Sequence, residues 1–339
     1  MSFQFYFIRR LLFVIPTLFG ITLAAFIIAN AVPADPITAN LPQSALNNEE
    51  IIKAFRVRWG LDKPLTEQYL TYVRNLLHGD LGVSIKTKRP VADDIRQFLP
   101  ATIELATAGI ISGIIIGVSV GIIAAVWRNS LADYLGRFFA LFGVSFPVFL
   151  LALVLLQVFY ARLGWTAGPG RLDVRMAKPP DRTGFFTIDA LLAGDWHTFH
   201  NALDHLILPG IMLGVYVSGI IARITRSSLL EVMGMDYIRT ARSKGLRERV
   251  VIWRHALSNS LIPVVTVIGL SYGSMLTGAV LTESIFAWPG IGRYMFRAST
   301  SQDFPAIMGV SILIGFIYVG VNFIVDILYF LLDPRIRRP

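Results

Sequence analysis

The chain has 339 residues, of which 54% are hydrophobic and 16% are charged, and its formal net charge at pH 7 is +9. Its mean hydropathy of +0.61 is too high for a soluble globular protein and indicates a polytopic membrane protein. The chain has no cysteine, which excludes disulfides and thiolate metal sites.

Six apolar stretches are long enough to form helices that cross the hydrocarbon of a bilayer, which is about 30 Å thick and takes about 20 residues. The stretches are residues 11–32, 101–127, 135–160, 206–225, 261–281 and 305–332. The first also resembles a cleavable signal peptide, because Arg9 and Arg10 precede it and small residues end it at 29–31. Its apolar run is longer than the roughly 7–15 residues usual in signal peptides. Five further stretches follow it, so we favour a retained helix.

The lysines and arginines predict the orientation of these spans. With the N-terminus in the cytoplasm, the inner segments hold 15 cations and five anions, and the outer segments hold 16 cations and 15 anions. The inner face then carries a net charge of +10 and the outer face +1, which is the positive-inside pattern of membrane proteins. The orientation of the spans therefore accounts for the net positive charge of the chain without a nucleic-acid partner. Both termini are predicted to be cytoplasmic.

The outer segment that follows the first span is too long for a simple connection. Its subsegments 48–59 and 65–77 have helical character, and in the second of these Tyr69 and Tyr72 share a face with Leu65 and Leu76. The segment is predicted to be a small folded cap. Two interpretations stay open: a landing surface for an external partner, or a scaffold that braces the first span.

Small residues recur at every fourth position in three of the spans, which places them along one helix face. The rows begin with Gly109, Gly113, Gly117 and Gly121 in the second span, Gly210 and Gly214 in the fourth, and Gly269 and Gly273 in the fifth. Tight helix packing is the main expectation for such faces. The alternative is that the bare faces allow helices to slide or rock, as a transporter requires.

Three polar side chains within the spans are candidates for a structural or functional role, because buried polar groups are costly in a membrane. Glu104 is near the outer end of its span, where it is expected to reach the interface. Asp326 is deeper and lies one turn after Asn322 on the same face. A buried structural hydrogen bond is the favoured interpretation for Asp326, and a place on the substrate path is the alternative. Pro147, within the third stretch, predicts a kink there.

The second outer loop, residues 161–205, contains His197, His200 and His205 within nine residues. Three histidines suggest a metal site, but no fourth ligand occurs at a helical spacing from them. We therefore interpret them as solvated surface histidines, and no metal is expected in this chain.

The longest basic inner segment is the loop 226–258. Asp236 is predicted to cap a helix N-terminus and Gly245 to end that helix in the left-handed conformation. The helix between them would have about nine residues and a length of about 13 Å.

The faces of this short helix differ in character. Tyr237, Ile238 and Ala241 share one face, and Arg239 and Arg242 share another. From the residues alone, two interpretations are equally supported: a helix presented to another protein, or an amphipathic helix that lies on anionic lipid.

A second helix is predicted to restart after the glycine and to continue into the fifth span. Its inward-facing residues are predicted to be Val250, Trp253 and Leu257.

Residues 239–245, Arg-Thr-Ala-Arg-Ser-Lys-Gly, resemble the Glu-Ala-Ala-x-x-x-Gly loop of ABC-transporter permeases, in the variant of the dipeptide, oligopeptide and nickel uptake group. The similarity extends to seven other segments, at residues 19–22, 33–36, 79–84, 225–232, 255–263, 281–292 and 333–337. The chain departs from the general motif at Arg239 and Thr240, which replace Glu and Ala, and at Ser258, which replaces a proline. The first two departures fit the peptide group.

The resemblance implies an all-α polytopic membrane protein with six transmembrane helices. It would consist of an N-terminal helix (1–32), an extracytoplasmic scaffold segment (33–100) and a five-helix, MetI-like permease core (101–335). The loop 226–258 would contain a coupling helix that docks in a groove of a cytoplasmic ATPase. The residues that carry over to this role by position are Asp236, Tyr237, Arg239, Ala241, Arg242 and Gly245.

The resemblance also implies a function: one permease subunit of an ATP-driven importer of dipeptides or oligopeptides in a bacterial inner membrane. The expected partners are a second permease, two ATPase subunits and an extracytoplasmic solute-binding protein. The sequence has no G-x-x-x-x-G-K-[ST] phosphate loop, so ATP and Mg are expected on the ATPase subunits and no cofactor or catalytic site on this chain. A nickel or other small-solute importer of the same group, and an ion-coupled secondary transporter, are the alternatives.

Overall fold

The structure is a computed structural model that describes residues 3–31, 37, 41, 45–59 and 63–332. Within these residues the regular secondary structure is helical, apart from one antiparallel bridge between Val83 and Pro90. The all-α fold class predicted from the sequence is therefore confirmed.

Fourteen α-helices in the described residues, two of them extended by π-helical turns, are numbered in chain order. They are α1 (Phe3–Ala31), α2 (Glu49–Trp59), α3 (Leu65–Leu77), α4 (Val91–Val126), α5 (Leu131–Ser145), α6 (Val148–Leu155, extended by the π turn Leu156–Arg162), α7 (Phe186–Leu192), α8 (Trp196–Met233), α9 (Asp236–Ser243), α10 (Glu248–Val250, continued by the π turn Val251–Ala256), α11 (Leu257–Leu276), α12 (Val280–Ile285), α13 (Ile291–Thr300) and α14 (Phe304–Leu332).

Four helical segments of the described chain are long and apolar enough to cross a membrane. They are Val91–Val126, Trp196–Met233, Glu248–Leu276 and Phe304–Leu328. They correspond to the second, fourth, fifth and sixth predicted spans. The predicted third span is instead a sharply bent pair of helices, which break at Phe146 and Pro147 because proline cannot continue the hydrogen-bonding ladder of α5.

Helix α1 covers the first predicted span and is apolar over Leu12–Ile27. It packs against α14, where a Cβ built at Gly315 would lie 2.7 Å from Ile21. It also contacts α3: the hydroxyls of Thr22 and Tyr69 are 2.9 Å apart, and the rings of Phe26 and Tyr69 meet edge-on at 5.4 Å. Of the predicted apolar face of α3, Leu65 is exposed. A contact between α3 and α1 is expected if the outer segment is a scaffold that braces the first span.

The centre of the fold is the pair α4 and α8, which pack along most of their length. A Cβ built at Gly109 would lie 2.9 Å from Leu213, and one at Gly117 would lie 2.8 Å from Ile221. At Gly121 the added atom would be 2.6 Å from Thr225 Cβ. The helices approach so closely that only glycine fits at these positions.

The remaining glycines of the predicted rows also lie in helix contacts. A Cβ built at Gly113 would lie 3.3 Å from the carbonyl oxygen of Gly214, and one built at Gly214 would overlap the Ser112 side chain. A Cβ built at Gly210 would lie 3.0 Å from Ala108 Cβ. In the same way Gly269 and Gly273 of α11 face two valines of α14.

The histidine-rich end of the second outer loop corrects one prediction. His205 is buried, its Nδ1 is 2.9 Å from the carbonyl oxygen of Asn201, and its Nε2 is 3.6 Å from Asp173. His197 and His200 are exposed. The interpretation as solvated surface histidines is thus wrong for His205, because the start of α8 packs against the outer loop. Within the described ranges no group of three or more potential metal ligands is found.

Candidate functional site

The predicted short helix is α9, which follows α8 after a turn at Gly234 and Met235. Its N-cap is Met235, so Asp236 is the first helical residue and its carboxylate caps no backbone group. The predicted capping role of Asp236 is therefore wrong. Its carboxylate instead accepts a hydrogen bond from Arg239 at 3.3 Å, on an exposed surface.

The C-terminal end of α9 is formed at Gly245. This residue has φ of +75°, and its N–H donates to the carbonyl of Arg242 at 2.9 Å. The left-handed conformation predicted for Gly245 is confirmed. The helix ends at Ser243 and has eight residues, or about 12 Å, rather than nine. No atom lies within 4 Å of a Cβ built at Gly245, so backbone conformation rather than space requires glycine there.

One face of α9 is buried in a hydrophobic cluster that we call the base cluster. Its buried members are Ala125, Leu229, Val232, Ile238, Ala241, Val251 and Ala256. They come from the ends of α4 and α8, from α9 and from the π turn before α11. Ile238 is fully buried, so α9 cannot move as a unit without moving the two long helices beside it.

Tyr237 is a second connection, between α9 and the start of α11. Its hydroxyl accepts a hydrogen bond from Asn259 Nδ2 at 2.9 Å and donates to the carbonyl of His255 at 3.4 Å. The ring is partly exposed at the edge of the base cluster. Tyr237 thus connects α9 to the fifth span by a polar contact, beside the apolar contacts of Ile238 and Ala241.

The helix that follows Gly245 continues into the fifth span, as predicted, but its inward face differs. Val250 and Trp253 are 37% and 57% exposed, whereas Val251 and Ile252 are buried. The prediction of inward Val250 and Trp253 is therefore wrong, and that of inward Leu257 is confirmed. The cause is the π turn Val251–Ala256, whose wider i→i+5 pattern rotates the buried face by about one residue.

The exposed face of α9 is basic. Arg239 and Arg242 point outward, with Lys244 just past the end of the helix. Arg242 donates to both carboxylate oxygens of Glu248, at 3.1 and 2.6 Å, which ties the end of α9 to the start of α10. The exposed surface of α9 is therefore basic, and the C-terminal end of the helix is tied to α10.

Asp133 is a buried acid near the same end of the bundle that the sequence did not single out. It is fully buried, and Arg226 of α8 donates two hydrogen bonds to it, at 2.7 and 2.9 Å. The N–H of Asn129 donates a third at 3.0 Å. This pairing joins the start of α5 to α8 one helical turn before the base cluster.

At the opposite end of the bundle, Glu283 of α12 is fully buried as well. One oxygen accepts a hydrogen bond from Thr102 at 2.8 Å, and the other accepts from the N–H of Arg293 at 2.8 Å. Burial raises the pKa of this carboxyl, although the hydrogen bonds from Arg293 and Thr102 lower it.

Glu283 lies in the sequence motif 281–292, and the glycines of that motif could have indicated the buried acid. A Cβ at Gly290 would overlap the Glu283 carboxyl, and one at Gly292 would lie 3.0 Å from its Oε2. The two glycines of the motif therefore make room for the acid, and Trp288 Nε1 closes the turn by donating to the carbonyl of Ala101 at 2.7 Å.

The polar residues predicted within the spans do not lie together. Glu104 is buried and pairs with Arg171 at 2.5 Å, and it also accepts a hydrogen bond from the hydroxyl of Thr187 at 2.6 Å. The expectation that Glu104 reaches the interface is wrong: it anchors the second outer loop to α4. Asn322 donates to the carbonyl of Tyr318 at 3.0 Å, one turn earlier, and Asp326 is half-buried.

In the described residues, four or five long apolar helices, together with a short helix packed at one end of the bundle, define a multi-pass membrane protein. The chain belongs to the family described as binding-protein-dependent transport system inner membrane component, whose model matches residues 117–338. A model for the N-terminal part of such components matches residues 3–106. The chain is therefore a permease subunit of an ABC importer and a transport protein rather than an enzyme.

Relatives align over nearly the whole chain. It is 45% identical to the probable D,D-dipeptide transport system permease protein DdpB of Escherichia coli K12, over 94% of this chain and 93% of that one. It is 44% identical to the di/tripeptide transport system permease protein DppB of Pseudomonas aeruginosa, over 97% and 98%. The glutathione transport system permease protein GsiC of an E. coli strain is 37% identical over 98% of each chain.

A solved structure shows the fold. The inward-facing MetNI methionine ABC transporter matches with a TM-score of 0.52 and 15% identity, over 70% of this chain and 94% of that one. The MetI-like architecture predicted from the sequence is thereby confirmed. Because the family model and the relatives identify an ABC importer permease, the interpretation as an ion-coupled secondary transporter is wrong.

Proposed function

We propose that this chain is one of two permease subunits of an ATP-driven importer of dipeptides and other short peptides. The relatives named for dipeptides, di- and tripeptides and the tripeptide glutathione support a short-peptide substrate. The chain would form half of the pathway, beside a second permease. An extracytoplasmic binding protein would deliver the peptide, and two ATPase subunits would bind ATP and Mg.

The contact between the chain and its ATPase is proposed to be α9. The observation that carries this proposal is the burial of Ile238 and Ala241 in the base cluster, beneath an exposed basic face. A push on Arg239 or Arg242 reaches α8 and α11 through packed side chains, because a close-packed cluster transmits displacement. The excess of cations on this side supports a cytoplasmic location for α9 and for both termini.

The division of the chain into parts is proposed on the same basis. Residues 1–32 would be an added transmembrane helix, 33–100 an extracytoplasmic scaffold, and 101–335 the permease core. Helix α4 begins at Val91, so the scaffold continues into the core without a break. The bare glycine faces between α4 and α8 would let the core rock between inward and outward access.

The experiment that tests α9 is the substitution Gly245→Val. A β-branched residue resists the left-handed conformation by about 1–2 kcal/mol, so the end of α9 would rearrange. We expect normal insertion, loss of the ATPase subunits on copurification in mild detergent, and loss of dipeptide uptake. The matched control is Gly79→Val, at an exposed glycine with φ of +76° and no atom within 4 Å of its Cβ, in the outer segment. Unchanged uptake by Gly245→Val, or equal loss in the control, would refute the coupling role.

A further inference from the structure

A cavity of about 480 Å³ lies between α13, the start of α4 and the segment before it. Its size is within the range of small-molecule sites, roughly 300–1,000 Å³. Phe98 of α4 forms one wall, whereas Ala125, near the other end of the same helix, contacts α9. The helix between these residues is about 40 Å long. The cavity is thus at the end of the bundle opposite α9, where peptide is proposed to enter.

Three cationic side chains line this cavity: Lys86, Arg293 and Arg297. In the part of the chain that the structure describes, none of the three forms an ion pair. Arg89, which follows Lys86 closely in the chain, differs because it is paired with the buried Asp94 at 2.5 Å. The cavity wall therefore holds three cations against one acid, Asp303, and none of the three cations is paired with a carboxylate in the described residues.

The acids close to the cavity are already engaged. Asp303 in its wall is buried, and one carboxylate oxygen accepts hydrogen bonds from the hydroxyl of Ser84 at 2.5 Å and from the N–H of Lys86 at 3.0 Å. Glu283 lies behind Gly290 and binds the backbone N–H of Arg293 rather than its guanidinium.

The two arginines repel each other. Arg293 and Arg297 are four residues apart on α13, so their side chains share a face. Burial lowers the pKa of Arg293 and the neighbouring charge of Arg297 lowers it further, whereas the charge of Glu283 raises it. The guanidinium of Arg293 donates from Nη1 to the carbonyl of Ala287 at 2.7 Å, which fixes it at the cavity wall. An anion placed between the cations would relieve this repulsion.

We propose that this cavity binds the C-terminal carboxylate of the peptide as it enters the permease, with Arg293, Arg297 and Lys86 as donors. Guanidinium–carboxylate hydrogen bonds are among the strongest in proteins. The rings of Phe98 and Tyr294 stack with centroids 5.1 Å apart and offer an apolar wall to a side chain of the peptide. Since every unmodified peptide carries this carboxylate, such a site accepts many side chains. The inference rests on the short-peptide function proposed above.

The test is thermal unfolding of the purified complex of this chain with its partner subunits, without the binding protein. The probes are L-alanyl-L-alanine and its C-terminal amide. A ligand that binds the folded state raises the midpoint of unfolding with its concentration. We expect stabilisation by the dipeptide and none by the amide. Removing two donors, in Lys86→Gln with Arg297→Gln, is expected to raise the dipeptide concentration needed by about tenfold or more.

Two variants separate this site from general charge effects. Arg297→Lys keeps the charge and is expected to retain most of the stabilisation. Arg96→Gln removes an exposed cation of α4 that lies 3.6 Å from Asp93, and it is expected to behave like the wild type. Equal stabilisation of wild type by the acid and the amide, absence of any stabilisation, or an undiminished effect in the double variant overturns the proposal.

A separate measurement distinguishes the remaining outcomes. If the double variant binds dipeptide normally but loses stimulation of ATP hydrolysis by the binding protein, the cations bind an acidic protein surface and the peptide site is wrong. Dipeptide uptake by the wild-type importer is measured in parallel. Failure of that uptake contradicts the proposed function, whereas normal uptake with unchanged binding in the variants contradicts only the carboxylate site.

Discussion

Arg226 donates hydrogen bonds from Nε and Nη2 to the two oxygens of Asp133, at 2.7 and 2.9 Å, and Asp133 has no exposed side-chain surface. The pair joins α5 to α8 just before α8 enters the base cluster. A buried carboxylate that loses its bidentate partner is costly, because the half-exposed Arg137, whose Nε lies 3.3 Å from Asp133 Oδ1, replaces only part of that interaction.

The first prediction follows from this pair. Arg226→Met should lower the free energy of unfolding by about 3 kcal/mol, since it leaves Asp133 buried without its bidentate partner. Arg226→Met combined with Asp133→Leu should recover most of that loss, because no buried charge remains. Thermal unfolding in detergent measures both. The control is Arg137→Met: its side chain is 47% exposed and lies 3.3 Å from Asp133, so it should cost less than about 1 kcal/mol. Additive losses in the double variant would contradict the prediction.

The second prediction concerns the closest approach of α4 and α8. Gly121→Ala places a methyl 2.6 Å from Thr225 Cβ and 2.8 Å from the carbonyl of Ala222, so the helices must separate. Overpacking of this kind costs about 1–3 kcal/mol. Gly320→Ala on α14, where no atom lies within 4 Å, should be neutral. Loss of stability in both variants, or in neither, would show that the small size of Gly121 does not determine how closely α4 and α8 pack.

The rocking proposal adds a kinetic readout to the same helix pair. A Cβ at Gly113 would be 3.3 Å from the carbonyl of Gly214, close enough to restrict sliding without much overlap. If the faces move during transport, Gly113→Ala should slow peptide uptake more than it lowers the unfolding midpoint. Uptake that falls only in proportion to stability would leave packing as the sole role of the row.

The third prediction is a pH dependence at Glu283. Burial raises the pKa of this carboxyl above its ordinary value of 4.5, despite hydrogen bonds from Arg293 and Thr102 that lower it. The folded state then holds the proton more tightly than the unfolded state, so stability from this group decreases as pH rises from about 4.5 through the folded pKa. Glu283→Gln cannot ionise and should lack this component. Unfolding midpoints of wild type and variant should diverge as pH rises, and parallel curves would contradict the raised pKa.

Much of the site was predictable because local rules determine it. The positive φ of Gly245, the buried face of Ile238 and Ala241 and the long apolar helices follow from glycine chemistry and helical spacing. The inward face at Val250 and Trp253 was wrong because a π turn has no signature in an apolar period.

Other contacts were not predicted because the two partners are distant in the chain. Asp133 meets a side chain 93 residues away, Glu104 one 67 residues away, and Glu283 one 181 residues away. Charge counting assigned each acid to a side or a span but supplied no partner. Near Glu283 in the sequence, only Gly290 and Gly292 reflect its buried carboxyl, because a side chain at either position would collide with it.

The last prediction tests the polar connection between α9 and the fifth span. Tyr237→Phe removes the hydroxyl that accepts from Asn259 and donates to the carbonyl of His255, while the ring remains. A partly exposed hydrogen bond contributes about 1 kcal/mol, so folding and ATPase copurification should persist. The connection between α9 and α11 would be looser, and more ATP should be hydrolysed for each peptide imported. Measuring ATP hydrolysis and uptake together in proteoliposomes gives this ratio. Thr240→Val is the matched control, because its hydroxyl donates only to the carbonyl of Asp236 within α9. A ratio unchanged in Tyr237→Phe, or raised equally in Thr240→Val, would place the coupling in the apolar contacts of Ile238 and Ala241 alone.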